Sequence, residues 1–253
     1  MKLKIASYNI SGGFYNSDDK TEYLDKERAE NVDDKMLEQI IETVNDEDID
    51  VICFQEIITT ERIQYMQSIC NRTNLKYYEF YELSECNIVK DTNCGIAVIS
   101  KYPMEIVQRE LFPNPGLTKT TSSGNTYYLY DKGYMIVKLN VNNKEISLLT
   151  HHGFPYHVFD STAEENKQVF EFLDNAIEKH NPDIITGDFN EEDFMSFMKK
   201  ADDKYFRTID NITTAEGKKL DDICLRKNND EYSSKVLRLL SDHYMIITVV
   251  DLI

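Results

Sequence analysis

Short apolar runs, most of them rich in Ile and Val, recur along the chain and predict β-strands. The predicted strands are Leu3–Tyr8, Asp50–Gln55, Gly95–Ser100, Tyr134–Leu139, Ile146–Thr150, Asp183–Thr186, Asp222–Leu225 and Met245–Val250. Two of these runs flank Asn142-Asn143, a dipeptide typical of tight turns, so the segment from Tyr127 to Thr150 is predicted to form a hairpin. Some antiparallel pairing is therefore expected.

Three other segments carry apolar residues at helical spacing. Their apolar positions are Val32, Met36, Leu37, Ile40, Ile41 and Val44; then Ile63, Met66, Ile69 and Cys70; then Val169, Phe170, Leu173 and Ile177. Ser161 and Glu164 have the spacing of a capping box that opens the third helix, and Asn181-Pro182 predicts its end. Mixed helices and strands predict an α/β fold: a two-layer β-sandwich of mixed, largely antiparallel sheets flanked by helices.

Length and composition are those of a folded globular chain. The 253 residues are 41% hydrophobic with only 9 Gly and 5 Pro, which excludes disordered and collagen-like classes. No repeat and no Pro/Gly/Ser-rich linker divides the chain, so residues 1–253 are predicted to form a single domain. The net charge of −17 argues against a broad basic face that binds nucleic acid, so any surface that binds nucleic acid must be local.

The five cysteines are widely spaced and odd in number, and none of them forms a CxxC pair. This pattern indicates neither a disulfide framework nor a zinc site. No apolar stretch is long enough for a secretory signal or a membrane span. We therefore expect a cytoplasmic monomer with reduced thiols; a leader removed ahead of the first residue would change that expectation.

Polar residues stand at the ends of several apolar strands. They are Tyr8-Asn9, Gln55-Glu56, His151-His152 and Gly187-Asp188-Phe189-Asn190, with Asp242-His243 directly before another strand. A single polar strand end is most often a turn or cap residue, but five of them favour a shared cluster. Glu56, Asp188 and Asp242 would then crowd negative charge that needs a cation, with amide oxygen from Asn9 or Asn190. Oxygen ligands without thiols favour Mg²⁺ first, and Mn²⁺ or Ca²⁺ next.

Histidine is scarce, and four of the five histidines lie near the predicted cluster. His151, His152 and His157 fall in one short stretch after a strand, and His243 follows Asp242. A histidine beside carboxylates is suited to general acid or base catalysis, because its pKa lies near neutrality. The fifth, His180, is interpreted as a surface residue at a helix end, and the role of His157 is left open.

Seven short motifs follow one another in a characteristic order. They are SYNI at residues 7–10, QE at 55–56, GIAVIS at 95–100, LLTHHGFP at 148–155, GDFN at 187–190, LDDI at 220–223 and SDH at 241–243. The ordered set resembles the endonuclease/exonuclease/phosphatase superfamily over the whole chain. GDFN alone is moderately specific, whereas the ordered set is strong. The resemblance implies a deoxyribonuclease I-like fold with four α/β/β/α layers.

The resemblance also implies roles for the acidic and amide residues. Glu56 would be the principal metal ligand, with Asp242 a further ligand and Asn9 a neighbour of the metal or phosphate. Asp188 would orient the attacking water, and Asn190 would contact the scissile phosphate. Such groups suit phosphodiester hydrolysis, because water must approach an anionic phosphorus and the departing oxygen must be stabilised.

The same resemblance identifies the catalytic histidines. His243 would be the general base or charge-stabilising group, and Asp221 would accept a hydrogen bond from its other ring nitrogen and fix its tautomer. For the upstream histidine, a His-x-x-Pro pattern selects His152 with Pro155, whereas the commoner Thr-His pattern selects His151. We choose His152 as a catalytic and substrate-binding residue.

The sequence constrains the substrate only weakly. Asp131-Lys132-Gly133 resembles a Lys-Gly element of sphingomyelinase-like members, which would place Lys132 in substrate binding; an exposed turn lysine is an equal alternative. Two aromatic stretches could stack nucleic-acid bases, although half-buried strand residues are the commoner case. They are Tyr77, Tyr78, Phe80 and Tyr81, and Tyr127, Tyr128 and Tyr130.

The resulting hypothesis is a divalent-metal-dependent phosphoester hydrolase, with a nuclease acting on DNA or RNA placed first. A sphingomyelinase-like or other small-molecule phosphodiesterase or phosphatase is the alternative. A non-catalytic binding module is placed third, because a protein that had lost catalysis would be expected to have lost at least one catalytic residue by mutation. All six are present: Glu56, Asp188, Asn190, Asp221, Asp242 and His243.

Overall fold

The computed structural model describes residues 2–13, 34–59, 64–229 and 231–251. In chain order its strands are β1 (Lys2–Asn9), β2 (Val51–Thr59), β3 (Tyr77–Glu85), β4 (Asn93–Ser100), β5 (Met104–Leu111), β6 (Thr118–Thr120), β7 (Thr126–Tyr128), β8 (Gly133–Val141), β9 (Lys144–His152), β10 (Ile184–Asp188), β11 (Tyr205–Arg207), β12 (Asp221–Arg226), β13 (Tyr232–Leu237) and β14 (Met245–Asp251). The helices are α1 (Asp34–Glu47), α2 (Tyr65–Arg72), α3 (Lys167–His180), α4 (Phe194–Phe197) and α5 (Lys199–Lys204).

The strands form two six-stranded sheets and one small hairpin. The first sheet has the order β13-β14-β1-β2-β4-β3, and the second has the order β11-β12-β10-β9-β8-β5. Each sheet contains one parallel pair, β1 with β2 and β9 with β10, among antiparallel neighbours. The predicted sandwich of mixed, largely antiparallel sheets is confirmed.

Side chains along β1 point alternately to opposite faces of the sheet, so one apolar run contributes to two hydrophobic cores. Leu3 and Ile5 point into the central core between the sheets, which they share with Leu148 of β9. Ala6 and Tyr8 point to the opposite face, where α1 and α2 pack. Because side chains alternate across a strand, a strand that is covered on both faces is apolar throughout. Helix α3 covers the outer face of the second sheet in the same way, which gives the four layers.

The eight predicted strands are all present, but the predicted hairpin is shorter at its start. β8 and β9 are joined by Asn142 and Asn143, whose φ angles of 53° and 68° fit a tight turn that follows the strand twist. The hairpin begins at Gly133, whereas Tyr127 lies in β7 and pairs with β6. The intervening Lys132 therefore sits at the entrance to β8.

The capping box lies one residue later than predicted, and α3 itself begins only at Lys167. Thr162 Oγ1 accepts from the Glu165 N–H at 3.3 Å, and Glu165 Oε2 accepts from the Thr162 N–H at 3.0 Å. Ser161 instead donates its hydroxyl to Glu165, so the predicted pair of Ser161 and Glu164 is wrong. A short 3-10 turn then leads into α3, which ends at His180 as predicted.

Two apolar positions of the predicted helices, Val32 and Ile63, lie outside the described residues. Within the described ranges, every helix is too short or too polar to cross a lipid bilayer.

Candidate active site

The carboxyl ends of the two parallel strand pairs meet at one edge of the sandwich, around a cleft of about 160 Å³. Seven of the nine site residues predicted from the sequence line this cleft: Asn9, Glu56, His152, Asp188, Asn190, Asp242 and His243. The other two lie directly behind the lining. Asp221 contacts His243, and Lys132 contacts His152.

Asp188, at the end of β10, is the buried centre of the site. Its Oδ2 accepts hydrogen bonds from Asn9 Nδ2 at 3.0 Å and Asn190 Nδ2 at 3.1 Å, and its Oδ1 accepts from the Asn190 N–H at 2.8 Å. Strand register places it beside His152 on β9 and Asp221 on β12. Burial and the charge of Asp221 raise the pKa of Asp188 to about 7, against its hydrogen bonds. Such a carboxyl can accept a proton near neutral pH.

His243 is held as a charged ring between two carboxylates. Its Nδ1 lies 2.9 Å from Asp221 Oδ2, and its Nε2 lies 3.8 Å from Asp188 Oδ2. Burial lowers the pKa of His243, but the charges of Asp221 and Asp188 outweigh burial and raise it well above its ordinary value. At neutral pH, Nδ1–H therefore donates to Asp221, and Nε2–H faces Asp188.

Lys132 is buried and sets the tautomer of His152. Its Nζ lies 3.2 Å from His152 Nδ1 and 3.6 Å from Glu56 Oε1. An ammonium group can only donate, so Nδ1 of His152 accepts and the ring proton resides on Nε2. That nitrogen faces Glu56 Oε1 at 3.7 Å and Asp188 Oδ2 at 3.6 Å. Burial, together with the charge of Lys132, holds the pKa of His152 well below its ordinary value. The alternative of an exposed turn lysine is wrong.

The neighbouring His151 points the other way, into the core of the second sheet. Its ring meets Phe189 edge-on, with 4.2 Å between ring centroids, and neither ring nitrogen has a hydrogen-bond partner among the described residues. Burial lowers the pKa of His151 to about 3, so the ring is neutral. Because alternate strand residues face opposite sides, only His152 of this pair reaches the cleft.

Glu56 reaches the cleft through an irregularity in β2. The register of β2 against β4 shifts between Phe54 and Ile57, which marks a β-bulge. Glu56 adopts a left-handed conformation there, with φ of 53°. A non-glycine residue in this region costs about 1 kcal/mol or more. The bulge therefore turns Glu56 out of the strand alternation.

Asn190 has the same left-handed conformation, with φ of 53°. One of its amide hydrogens goes to Gly153 O at 3.1 Å and the other to Asp188 Oδ2. In this arrangement Asn190 positions Asp188. Its predicted contact with the scissile phosphate stays a prediction, because both amide hydrogens already have acceptors.

The two remaining histidines differ in position. His157 is exposed on a 3-10 turn and lines the cleft, so it belongs to the rim of the site. His180 is the last residue of α3, in agreement with its interpretation as a helix-end residue.

Two hydroxyl residues of the site were not singled out from the sequence. Thr213 Oγ1 accepts from the N–H groups of Leu220 and Asp221, which fixes the start of β12. Ser241 Oγ donates to the carbonyl of Asn9, which ties the segment before His243 to the end of β1. Ser241 was part of the SDH motif, whereas Thr213 carried no sequence signal.

The sequence matches one known protein family over most of its length. The model of the endonuclease/exonuclease/phosphatase family matches residues 6–243. This chain belongs to that family. Members of the family are hydrolases that act on phosphoester bonds, and they generally use divalent metal ions.

Relatives of this family member share its fold at low identity. A crystal structure of an endonuclease/exonuclease/phosphatase from Beutenbergia cavernae superposes with a TM-score of 0.71 and 14% identity, over 99% of this chain and 72% of the other. Sphingomyelinase C from Streptomyces griseocarneus superposes with a TM-score of 0.63 and 16% identity, over 99% and 100%. At these identities the likeness concerns the fold alone.

One curated relative matches part of the sequence. Inositol phosphosphingolipids phospholipase C of Saccharomyces cerevisiae is 29% identical over 121 residues. The match spans 48% of this chain and 24% of the yeast protein, so the chain corresponds to about a quarter of that relative.

The charges of the site fit a divalent cation. Glu56, Asp188, Asp221 and Asp242 are four carboxylates, and Lys132 and His243 are the two cations that contact them. With all four carboxylates ionised, these four negative and two positive charges leave a balance of −2, which one divalent ion would neutralise. Burial, together with the charge of Asp221, raises the pKa of Asp188.

Two groups of side chains could hold such an ion. One atom each from Asp188, Asp221 and His243 lie within 4.8 Å of one another. A protonated His243 cannot ligate, however, and its Nδ1 already donates to Asp221. Glu56 and the exposed Asp242 offer carboxylate oxygens in the same cleft, which suit a hard ion better.

Proposed function

We propose that this protein is a divalent-metal-dependent phosphodiester hydrolase. The observation that carries the proposal is the convergence of two ring N–H groups on one carboxylate. Nε2 of the neutral His152 and Nε2 of the charged His243 lie 3.6 Å and 3.8 Å from Asp188 Oδ2. A phosphate oxygen in front of them would meet two donors, while Asp188 would hold the attacking water.

The charge states suggest how the protein residues divide the chemistry. Asp188 orients the water and takes up its proton as the water oxygen bonds to phosphorus and the bond from phosphorus to the departing ester oxygen breaks, for which a pKa of about 7 is suited. His243 acts in its charged form and stabilises negative charge on the phosphoryl oxygens, rather than serving as the base. His152 donates from Nε2 and is kept in that tautomer by Lys132.

The metal is assigned to the other side of the cleft. Glu56 and Asp242 would hold the ion, with Asn9 as a neighbour, and the ion would act as a Lewis acid on the phosphate and the departing oxygen. Asn9 also donates to Asp188, so it links the metal side to the water side. This link supports a shared site rather than two separate ones.

We infer a phosphosphingolipid head group as the first candidate substrate. The relative that matches in sequence carries a phospholipase C activity on inositol phosphosphingolipids in its name. Lys132, from the Lys-Gly element, is buried at the catalytic histidine. A net charge of −17 also favours a substrate with few phosphates over a polyanion.

A nuclease, which the sequence analysis placed first, is the second candidate. Tyr128 on β7 is 67% exposed, whereas Tyr77 and Tyr78, although 44% and 42% exposed, pair with the end of β4 that lies away from Glu56. Exposed aromatic rings can stack unpaired bases with little help from positive charge. This observation supports single-stranded nucleic acid over duplex DNA.

A substrate panel tests the proposal. The protein is incubated with Mg²⁺ or Mn²⁺ and sphingomyelin, inositol phosphosphingolipid, plasmid DNA, single-stranded DNA, RNA or bis-p-nitrophenyl phosphate. Asp188→Asn, prepared identically, controls for contaminating enzymes. We expect release of the phosphorylated lipid head group by the wild type and not by the variant. Cleavage of nucleic acid alone, lost in the variant, would favour the nuclease. Failure on every substrate, including the chromogenic one, would overturn the hydrolase.

A further inference from the structure

Two cysteines share a small buried cluster at the connection between β3 and β4. Cys94 is the second residue of β4 and pairs with Ser84, and the Cys86 N–H donates to Thr92 O at 2.8 Å as the chain turns back. The Cys86 and Cys94 side chains are buried in one small apolar cluster with Ile58 and Val89. None of the five cysteines is in a disulfide.

The two sulfurs have different surroundings. Cys86 Sγ accepts the N–H of Ile88 at 3.4 Å and the N–H of Val89 at 3.3 Å. The hydrogen bond from Cys94, aided by these N–H groups, lowers the pKa of Cys86 despite burial, whereas the same pairing and burial raise that of Cys94. One sulfur is therefore disposed to react as a thiolate and the other to remain a thiol.

We propose that Cys86 and Cys94 form a peroxide-sensitive dithiol that closes into a disulfide and thereby alters the metal side of the active site. In the first step the Cys86 thiolate attacks hydrogen peroxide, which gives a sulfenic acid and releases hydroxide. In the second step the Cys94 sulfur displaces the sulfenic hydroxyl as water. Overall, two thiols and one peroxide yield one disulfide and two waters, with sulfur oxidised and peroxide oxygen reduced.

A surface turn joins the two cysteines. Lys90 and Asp91, in the turn that joins the two cysteines, are both exposed. The pair thus lies just beneath a surface turn, whereas Cys53 and Cys224 lie within strands of the central sheets.

The coupling to the active site runs through two backbone segments. A Cβ placed on Gly12 would lie 3.4 Å from Cys86 Sγ, so this sulfur packs against the turn after β1. In that turn the Ser11 N–H donates to Asn9 Oδ1 at 3.0 Å. Cys94 pairs with Ile58 of β2, two residues beyond Glu56. Disulfide formation draws the sulfurs to about 2.05 Å, closer than a thiol hydrogen bond, and so must shift one of these segments.

The chemical part of the proposal is tested by thiol titration and peptide mapping. The wild-type protein is treated with hydrogen peroxide, denatured, and titrated for thiols, with its peptides mapped without reduction. We expect the thiol count to fall from five to three, with one peptide pair linked through Cys86 and Cys94. Modification of Cys70, which is half-buried on α2, with Cys86 and Cys94 still reduced would overturn the proposal. This readout needs no activity, so it stands apart from the proposed hydrolase.

The coupling is tested by Mn²⁺ binding, measured calorimetrically before and after peroxide and again after dithiothreitol. We expect several-fold weaker Mn²⁺ binding in the oxidised wild type and in oxidised Cys70→Ser, restored by the reductant. Cys86→Ser should bind Mn²⁺ equally before and after peroxide. A mapped disulfide that leaves Mn²⁺ affinity unchanged in the wild type would refute the coupling, even if the serine variant fails to fold.

Discussion

His243 Nδ1 lies 2.9 Å from Asp221 Oδ2, and this contact determines the charge of the ring that faces the catalytic Asp188. Asp221 raises the pKa of His243 and is itself fixed at the start of β12 by the hydroxyl of Thr213. The pair therefore keeps an imidazolium in the cleft across the neutral pH range.

Asp221→Asn is expected to move the alkaline limb of the rate profile to lower pH. Without the carboxylate the pKa of His243 falls, so the ring loses its proton earlier as pH rises, and turnover that needs the charged ring falls with it. The check is a profile of turnover on the chromogenic diester from about pH 6 to pH 9. Asp210→Asn, an exposed carboxylate paired with Lys219, is the control and should leave the profile in place. Coincident profiles for all three proteins would contradict this role.

Glu56→Gln is expected to shift the Mg²⁺ titration of activity to higher concentration. The amide keeps the shape of the side chain but removes the charge that a hard cation prefers. Glu82→Gln, on the exposed face of β3, serves as the matched control. A titration for Glu56→Gln that overlays the control would remove Glu56 from the metal ligands.

Lys132→Met is expected to lower turnover about tenfold or more by freeing the ring of His152. Without the buried ammonium, Nδ1 of His152 loses its donor, the pKa of the ring rises, and the Nε2 proton is no longer fixed toward the phosphate. The measurement is turnover together with its acid limb, which should move to higher pH. Lys138→Met, on β8 and paired with Glu145, controls for loss of a nearby lysine. A lower rate with an unmoved acid limb would indicate a structural role only.

His151→Phe is expected to reduce the acid sensitivity of the fold. Burial lowers the pKa of His151 from its ordinary value of 6.5 to about 3. Between these two pH values the ring is protonated in the unfolded chain but not in the folded chain. Stability from this group is complete above pH 6.5 and is lost as pH falls, by about 2 kcal/mol between pH 6.5 and pH 5.

Urea unfolding at about pH 7 and pH 5 tests this expectation for the wild type and His151→Phe. The variant should lose less stability on acidification than the wild type does. His180→Gln, changed at the partly exposed end of α3, should behave like the wild type. An equal loss in all three would show that His151 does not titrate in this way.

The central strands and the polar residues at their ends could be predicted from the sequence, because the pattern that predicts each of them lies within one short segment. A run such as the one that ends at Asp188 is apolar on both faces and stops at a polar residue, which a single segment can reveal. Edge strands β3, β5 and β13 were missed, since their outer faces carry charged and tyrosine side chains that mask the alternation.

What the sequence could not give were properties that depend on distant partners. The burial of Lys132 depends on His152 and Glu56, which the fold brings beside it from two other strands. The charge on His243 depends in the same way on Asp221 and Asp188. The left-handed turn at Glu56 depends on the bulge against β4, for which the motif Gln-Glu carries no signal.

The central claim is that Asp188 and a divalent ion act on one phosphodiester in this cleft. Its most direct test is the rate of bis-p-nitrophenyl phosphate hydrolysis with Mn²⁺, for wild type and Asp188→Asn, before and after chelation. The wild type should be active only with the ion, and the variant should be slower by a factor of about 100 or more while unfolding at a similar urea concentration. Equal rates for the two proteins, or full activity after chelation, would contradict the account.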